Sequence, residues 1–273
     1  MPTFQIDCLL EYQVHEPTEF IFQVEASKHA WQNILHEEIV ISSMSKAMSE
    51  MPAIAIKHFD RDQGVNRFAR LSAPAEQLFR LHYQAHVETS IPTRPIDAEE
   101  NAIHLLPSET FYYLAPSRFC ESDLLERMAQ RTFGHIPTGY QRVQTICDWI
   151  YAHIIYESGS SDHTTSAKDI LVSRAGVCRD FAHLAIAICR ALDIPARFVF
   201  GYMPFYQAMP DFHAIFEVYL GQQWVLFDAT KMGPIEEFVR VGTGLDAKDV
   251  PFASFFGQAE LLKIQPQIHK LEA

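Results

Sequence analysis

The sequence predicts an α+β protein in which an all-β, sandwich-like module precedes helices packed on an antiparallel sheet. Over much of the first hundred or so residues, apolar side chains alternate with polar ones, which is typical of half-buried strands. Beyond about residue 120 the apolar period becomes that of helices, and alternating segments follow again. We therefore expect a β-rich module over residues 1–105 and a second module with a C-terminal tail over 106–273.

Within the first module, strands are expected over residues 4–14, 20–24 and 79–87, where the alternation is clearest. The segment 60–64, Asp-Arg-Asp-Gln-Gly, has the composition of a hairpin turn. Short strands separated by turn signals favour an antiparallel sandwich or a barrel-like module. The proline-rich stretch 91–116 has little periodicity, so it is expected to connect the two modules.

The second module combines helices and strands. Strands are expected over 196–202, 212–220 and 223–229. The helices are expected from Ser122 to a stop at Gly134, around 143–154, from a capping box at Ser166 and Asp169 to Gly176, and from Cys178 to Pro195.

Composition and charge narrow the class of protein. Of the 273 residues, 48% are hydrophobic and 21% charged, as in a globular protein of one or two domains. The 34 acidic and 22 basic residues give a formal net charge of −12. Such an acidic chain repels phosphate backbones and anionic lipids, so neither nucleic acid nor a membrane is expected as a partner. No uncharged apolar run approaches the roughly 18–20 residues of a membrane span.

The cysteine pattern indicates a reducing compartment. An odd number of widely spaced cysteines without a C-x-x-C pair is neither a disulfide framework nor a thiolate metal site. The first residues, MPTFQIDCLLEYQVHEP, contain an acid and no basic region, so we expect a strand there rather than a signal peptide. The chain is predicted to be cytoplasmic. Its cysteines are Cys8, Cys120, Cys147, Cys178 and Cys189.

The segment 174–184, RAGVCRDFAHL, is the strongest candidate for chemistry. Gly176 allows a sharp turn just before a helix whose first turn contains Cys178. The free N–H groups and the helix dipole at that end favour an anion, either a thiolate or a developing oxyanion. Most free cysteines are simply buried small apolar residues, so this segment alone leaves both interpretations open.

A base and an orienting group for this thiol are found further along the chain. His213 opens the predicted strand HAIFEVYL, and Asp228 closes the next one, WVLFD. In an antiparallel hairpin, the residue numbers of every facing pair add up to the same value. Any even-length loop therefore places His213 and Asp228 on one face. A loop centred between residues 220 and 221 places them directly opposite, and one centred between 221 and 222 places them diagonally. An odd-length loop would separate them.

The segments GVCRDFAHLAIAICRALDIPARFVFGY and DFHAIFEVYLGQQWVLFDAT resemble the core of the transglutaminase-like superfamily, in the bacterial branch described as cysteine proteases. The resemblance covers about residues 115–257, and the β-rich module resembles the sandwich often fused ahead of this core. It implies a papain-like catalytic core with Cys178 as nucleophile, His213 as acid and base, and Asp228 as the group that orients the imidazole. The family commonly has Trp two residues after the His, where this chain has Ile215, so substrate choice stays open.

The resemblance also implies acyl transfer through a thioester formed by attack of Cys178 on an amide of a protein or peptide. The Cys178 backbone N–H would hold part of the oxyanion, with Tyr156 or Tyr140 as the second donor. Water would resolve the thioester in a peptidase or amidase, and a primary amine would do so in a cross-linking protein-glutamine transamidase. Hydrolysis is expected because water is always present. A catalytically inactive binding module on the same fold is the other alternative.

Four residues are expected to shape the substrate cleft: Tyr156, Phe205, Tyr206 and Ile215. Phe205 and Tyr206 fall in a loop just before the His213 strand.

No metal or cofactor is expected. Thirteen histidines suggest a metal site, but His82 and His86 would lie about 13 Å apart along a strand. The loop at 60–64 lacks the ligand pattern of a calcium loop, and no phosphate-binding or dinucleotide motif occurs. The natural substrate and the oligomeric state are left open.

Overall fold

The structure is a computed structural model that describes residues 1–45, 54–206 and 211–271. Over these residues the α-helices are α1 (Ser122–Phe133), α2 (Tyr140–His153), α3 (Ala167–Ser173) and α4 (Cys178–Arg190). The strands are β1 (Thr3–Val14), β2 (Thr18–Phe22), β3 (Gln32–Ser45), β4 (Lys57–Arg61), β5 (Asn66–Ala73), β6 (Gln77–Thr89), β7 (Ile155–Tyr156), β8 (Ala175–Gly176), β9 (Ala196–Tyr202), β10 (His213–Leu220), β11 (Gln223–Phe227), β12 (Val239–Gly244), β13 (Ala253–Phe256) and β14 (Ala259–Lys270).

The six N-terminal strands, together with β13 and β14, form a sandwich of two antiparallel four-stranded sheets, in the orders β14-β1-β6-β3 and β13-β2-β5-β4. Every second residue of β1 is buried, as the alternation predicted. Tyr12 and Phe79 in the first sheet pack on Phe20 in the second, with ring centroids 5.1 and 5.2 Å from it. The apolar faces therefore meet between the sheets, and the predicted all-β sandwich is confirmed. The hairpin predicted around 60–64 joins β4 to β5.

The C-terminal segment returns to this sandwich. β13 pairs with β2 and β14 with β1, so each N-terminal sheet gains one strand from the segment predicted as the tail of the second module. β14 covers the edge of β1 and buries Ile268 there. An unpaired edge of β1 would leave its backbone donors and acceptors without ladder partners, which explains the pairing. The division of the chain after residue 105 stays a prediction.

The second module contains an antiparallel sheet in the order β11-β10-β9-β12, with α4 packed against β10 and β9. Eleven of the thirteen residues of α4 are buried, and α1, α2 and α3 pack around it. This helix is therefore the centre of the module. The α+β architecture with helices on an antiparallel sheet is as the sequence predicts.

Several element ends differ from the prediction. α3 has the expected capping box, with the backbone N–H of Ser166 donating to Asp169 over 3.0 Å. It ends at Ser173 rather than at Gly176, because Arg174 adopts a left-handed conformation, with φ of 62°. α4 ends at Arg190, ahead of Pro195. α1 begins at Ser122 as expected, but the residue at its N-cap is Glu121, whose side chain makes no capping hydrogen bond.

Candidate active site

The N-terminus of α4 presents Cys178 as its first residue, as predicted. Asp180 stabilises this end, because its Oδ2 accepts the backbone N–H of Val177 over 2.9 Å and also accepts the Ser161 hydroxyl. A Cβ on Gly176 would lie 2.8 Å from the Cβ of Asp180, so glycine is required there by close approach. Sequence reasoning missed Asp180, although an acid at the third helical position is a signal for capping.

Cys178 differs from the other cysteines in its exposure. It is partly exposed, whereas the remaining four are buried. Burial raises the pKa of the Cys8 and Cys120 thiols to about 12 and also raises the pKa of Cys147 and Cys189. Cys178 is thus the thiol that a substrate could reach.

The β10–β11 hairpin brings His213 and Asp228 together. Leu220 pairs with Gln223 across a two-residue turn in which Gly221 and Gln222 both have positive φ, of 55° and 64°. The turn is centred between residues 221 and 222, so the two functional residues are diagonal neighbours on one face. His213 Nε2 donates to Asp228 Oδ2 over 3.0 Å. Of the two arrangements expected for an even-length loop, directly opposite or diagonal, the structure therefore has the diagonal one.

Thr230 fixes the carboxylate of Asp228. Its backbone N–H and its hydroxyl donate to Asp228 Oδ1 over 2.7 and 2.8 Å. Burial alone would raise the pKa of Asp228, but His213 and Thr230 outweigh it and hold that pKa below its usual value. Sequence reasoning did not select Thr230. The signal was available, since a Thr two residues after an Asp is typical of a local side-chain turn.

The remaining nitrogen of His213 is available to the thiol. Nε2 is hydrogen-bonded to Asp228, so Nδ1 is the ring nitrogen that could accept a proton from the thiol. Nδ1 is buried and has no hydrogen-bond partner among the described residues. Burial lowers the pKa of His213, but the Asp228 carboxylate and the neighbouring Cys178 thiol together raise it above its usual value. Cys178 Sγ also lies 3.9 Å from the carbonyl oxygen of Phe212. The carboxylate of Asp228 and the thiol of Cys178 are thus both neighbours of the imidazole.

Of the two tyrosines considered as the second oxyanion donor, Tyr156 lies at the thiol. Burial raises the pKa of Tyr156, and the charge of the neighbouring Cys178 thiolate raises it further. The parallel pairing of Tyr156 with Gly176 holds it beside the start of α4. Tyr140 packs instead against Phe227, with ring centroids 4.9 Å apart.

The other predicted cleft residues have different surroundings. Phe205 meets the His213 ring edge-on, with centroids 5.3 Å apart. Tyr206 is 68% exposed and lines a cavity of about 260 Å³ that also borders Asp228. The prediction that Ile215 lines the cleft is wrong, because its side chain is only 1% exposed and packs in an apolar cluster with residues such as Val199.

Among the described residues, no group of three or more His, Cys, Asp or Glu side chains could hold a metal ion. His82 pairs with Asp7 on the neighbouring strand, with Nε2 2.9 Å from Oδ1. In the part of the chain that the structure describes, no helix is long and apolar enough to cross a membrane.

Comparisons with known proteins agree with this architecture. Residues 2–107 match the family model of the bacterial transglutaminase N-terminal domain, and residues 126–229 match that of the transglutaminase-like superfamily. The crystal structure of a "putative cysteine protease from Cytophaga hutchinsonii" is 40% identical, with a TM-score of 0.91. That comparison covers 100% of this chain and 91% of the other.

Uncharacterized mycobacterial proteins also match. One from Mycobacterium tuberculosis is 36% identical over 116 residues, in a match that covers 37% of this chain and 37% of the other. One from Mycobacterium leprae is 31% identical over 109 residues, in a match that covers 37% of this chain and 39% of the other. The chain therefore spans less than half the length of these curated relatives. Since the Cytophaga protein is matched over nearly its whole length, and both modules match family models, the chain belongs to the transglutaminase-like superfamily.

Proposed function

We propose that this chain is a thiol enzyme that hydrolyses amide bonds of a protein or peptide through a thioester. The observation that carries the proposal is the position of His213, whose Nε2 lies 3.0 Å from Asp228 Oδ2 and whose pKa the neighbouring Cys178 thiol helps to raise. A nucleophile, a base and an orienting carboxylate in this order are what acyl transfer by a thiol requires.

In the proposed reaction, the Cys178 thiol gives its proton to His213 Nδ1, and Sγ attacks the amide carbonyl carbon. The backbone N–H of Cys178 and the hydroxyl of Tyr156 donate to the resulting oxyanion. His213 then protonates the leaving amine as the C–N bond breaks, which leaves a thioester. Water, deprotonated by His213, attacks the thioester and releases the acid and the thiol. Asp228 stays ionised throughout and stabilises the imidazolium each time His213 holds the proton.

Hydrolysis is preferred to amine transfer because Cys178 is partly exposed, so water has access to a thioester formed there. The test uses labelled denatured casein with and without a dansylated alkylamine. Release of peptides or ammonia without amine incorporation is expected. Incorporation of the amine into casein would instead identify a transamidase. Cys178→Ala should abolish either activity, and Cys8→Ala, which removes a buried thiol of the sandwich, should not.

Alkylation tests the thiol without any substrate. With iodoacetamide at several pH values and peptide mass spectrometry, Cys178 should react fastest, because burial raises the pKa of the other four cysteines. His213→Ala should slow Cys178 by roughly tenfold near neutral pH if the imidazole is its base. Equal rates for all five thiols would contradict the enzyme proposal and favour the inactive binding module.

We also propose the cytoplasm as the compartment. All five cysteines are free, which fits a reducing environment.

A further inference from the structure

A groove of about 510 Å³ lies beside the N-terminus of α4. Four segments form it: Arg118 and Phe119 ahead of α1, His163 and Thr164 ahead of α3, Arg179 in α4, and residues 247–254. We call it the basic groove, after its lining residues Arg118, His163, Arg179 and Lys248.

The charge of the basic groove is opposite to that of the whole chain. Among the described residues that line it there is no carboxylate, although the chain carries a net charge of −12. Asp249 lies in the wall segment and is exposed, and its Oδ2 accepts the backbone N–H of Leu245 over 2.9 Å. Arg118 and Lys248 are exposed to solvent, and the Arg118 guanidinium lies over the Phe119 ring, 4.9 Å from its centroid. A local excess of positive charge in a concave surface attracts anionic groups.

The neighbouring carboxylates are engaged in the walls of the groove. Asp246 is buried and accepts the backbone N–H groups of Phe119 and Lys248, each over 2.9 Å. Asp180 is also buried and pairs with Arg179, with Nη2 2.9 Å from Oδ1. At the rim, exposed Asp162 accepts hydrogen bonds from the two threonines that follow His163. Arg118 and Lys248 therefore supply the positive charge that faces solvent.

The groove lies next to the nucleophile. Arg179 follows Cys178 directly, and Phe252 lies in the wall segment and stacks on Phe212, with ring centroids 5.6 Å apart. The carbonyl oxygen of Phe212 is in turn 3.9 Å from Cys178 Sγ. An extended peptide advances by about 3.3–3.6 Å per residue, so three or four residues of a bound substrate would extend about 10–14 Å from the reacting amide.

Resting on the proposed function, we infer that the basic groove binds an acidic segment of the protein substrate, close to the amide that Cys178 attacks. A peptide fits better than a nucleic acid, because the acidic remainder of the chain would repel a long phosphate backbone, whereas a few carboxylates need only the groove.

The test measures binding rather than turnover. Fluorescein-labelled hexaglutamate is titrated with the full chain carrying Cys178→Ala, in about 50 mM salt, and binding is followed by anisotropy. We expect saturable binding that weakens as salt is raised, and no saturable binding at the groove for hexalysine. Adding Arg118→Gln and Lys248→Gln together should weaken hexaglutamate binding at least tenfold.

The matched control carries Lys57→Gln and Lys263→Gln in the Cys178→Ala protein. Both lysines are exposed in the sandwich, and their replacement removes two positive charges away from the groove. This control should change the affinity less than twofold, and thermal melting should show that both double variants fold. Absence of hexaglutamate binding, or equal weakening by both pairs, would overturn the inference, as would tighter binding of a labelled DNA oligonucleotide at the same groove. Because no turnover is needed, loss of the proposed activity would leave this test valid.

Discussion

Each side chain of the candidate triad depends on a neighbouring polar contact for its position. Asp180 stabilises the helix end that carries Cys178, and Thr230 holds the carboxylate that orients His213. Two donors on one carboxylate oxygen leave the other oxygen directed at the imidazole. We therefore propose that Thr230 is a positioning residue rather than a catalytic one.

Replacement of Thr230 by Val tests this role. The backbone N–H bond to Asp228 stays, but the hydroxyl bond of 2.8 Å is lost, so Asp228 holds the imidazole less firmly. We expect Cys178 alkylation near neutral pH to slow by roughly three- to tenfold, with a change in the free energy of unfolding of about 1 kcal/mol. Thr230→Ser keeps the hydroxyl and should restore the rate. If Val and Ser variants react alike, the hydroxyl does not position the triad.

The residues of the candidate triad could be selected from the sequence, because each lies in a local pattern with a chemical meaning. Cys178 lies at a helix start, two residues after a glycine. An even-length hairpin loop places His213 and Asp228 on one face. Ile215 shows where such reasoning fails. It shares a strand face with His213, but whether a face opens to solvent depends on what packs over it, and here an apolar cluster covers it.

Among the elements, β10 links function to stability because it carries both His213 and a fully buried carboxylate, Glu217. Glu217 pairs with Arg197 of β9 over 2.7 Å and with Arg240 of β12. Burial raises the pKa of Glu217, but the two guanidinium groups lower it to about 2. The network therefore joins three neighbouring strands of the sheet on which the imidazole is placed.

Glu217→Gln should destabilise the protein strongly. The substitution leaves the guanidinium of Arg240, which is only 3% exposed, without its countercharge. Removing one partner of a buried ion pair costs about 3–5 kcal/mol, which urea unfolding would measure. Glu19→Gln breaks an exposed pair with Arg70 and should leave stability nearly unchanged. Equal effects of the two substitutions would show that burial of the Glu217 pair does not matter.

The helix α4 carries a second buried histidine, which makes stability depend on pH. His183 lies between Phe119 and Phe198, and its Nε2 accepts the backbone N–H of Ala247 over 3.1 Å. Burial lowers the pKa of His183 to about 3. Between that value and the ordinary value of about 6.5, the unfolded chain binds a proton that the folded chain does not, so stability falls as pH falls.

The slope from this one histidine is about 1.4 kcal/mol per pH unit. His183→Gln should therefore flatten the dependence of the unfolding free energy on pH between about 6.5 and 5, where few carboxylates titrate. Denaturant unfolding at several pH values would measure the slope. A variant with the parent slope would mean that His183 is protonated in the folded protein.

For the whole molecule, the sandwich and the helical module share contacts that sequence patterns do not reveal. The hydroxyl of Tyr202, in β9, donates to the carbonyl of Val24 over 2.6 Å, and Ser27 donates to the carbonyl of Val241 over 2.9 Å. Both hydrogen bonds are buried. Periodicity predicts individual strands and helices, but it cannot say which distant strands pair, because many pairings satisfy the same alternation. The return of β13 and β14 to the sandwich is such a case.

Because the C-terminal segment pairs with the N-terminal sheets, we predict that the strand β14 is essential to the sandwich. Deletion of residues 259–273 should lower the melting temperature and make Cys8 reactive, because β14 covers the edge of β1 and faces Cys8 with Pro266. Cys8 is 0% exposed in the full chain, so its alkylation reports opening of the sandwich. Leu262→Ser changes only an exposed side chain of β14, at 52% exposure, and should leave Cys8 protected. If the truncated chain melts like the full chain and protects Cys8, the sandwich is stable without β14, and the C-terminal strand serves another purpose.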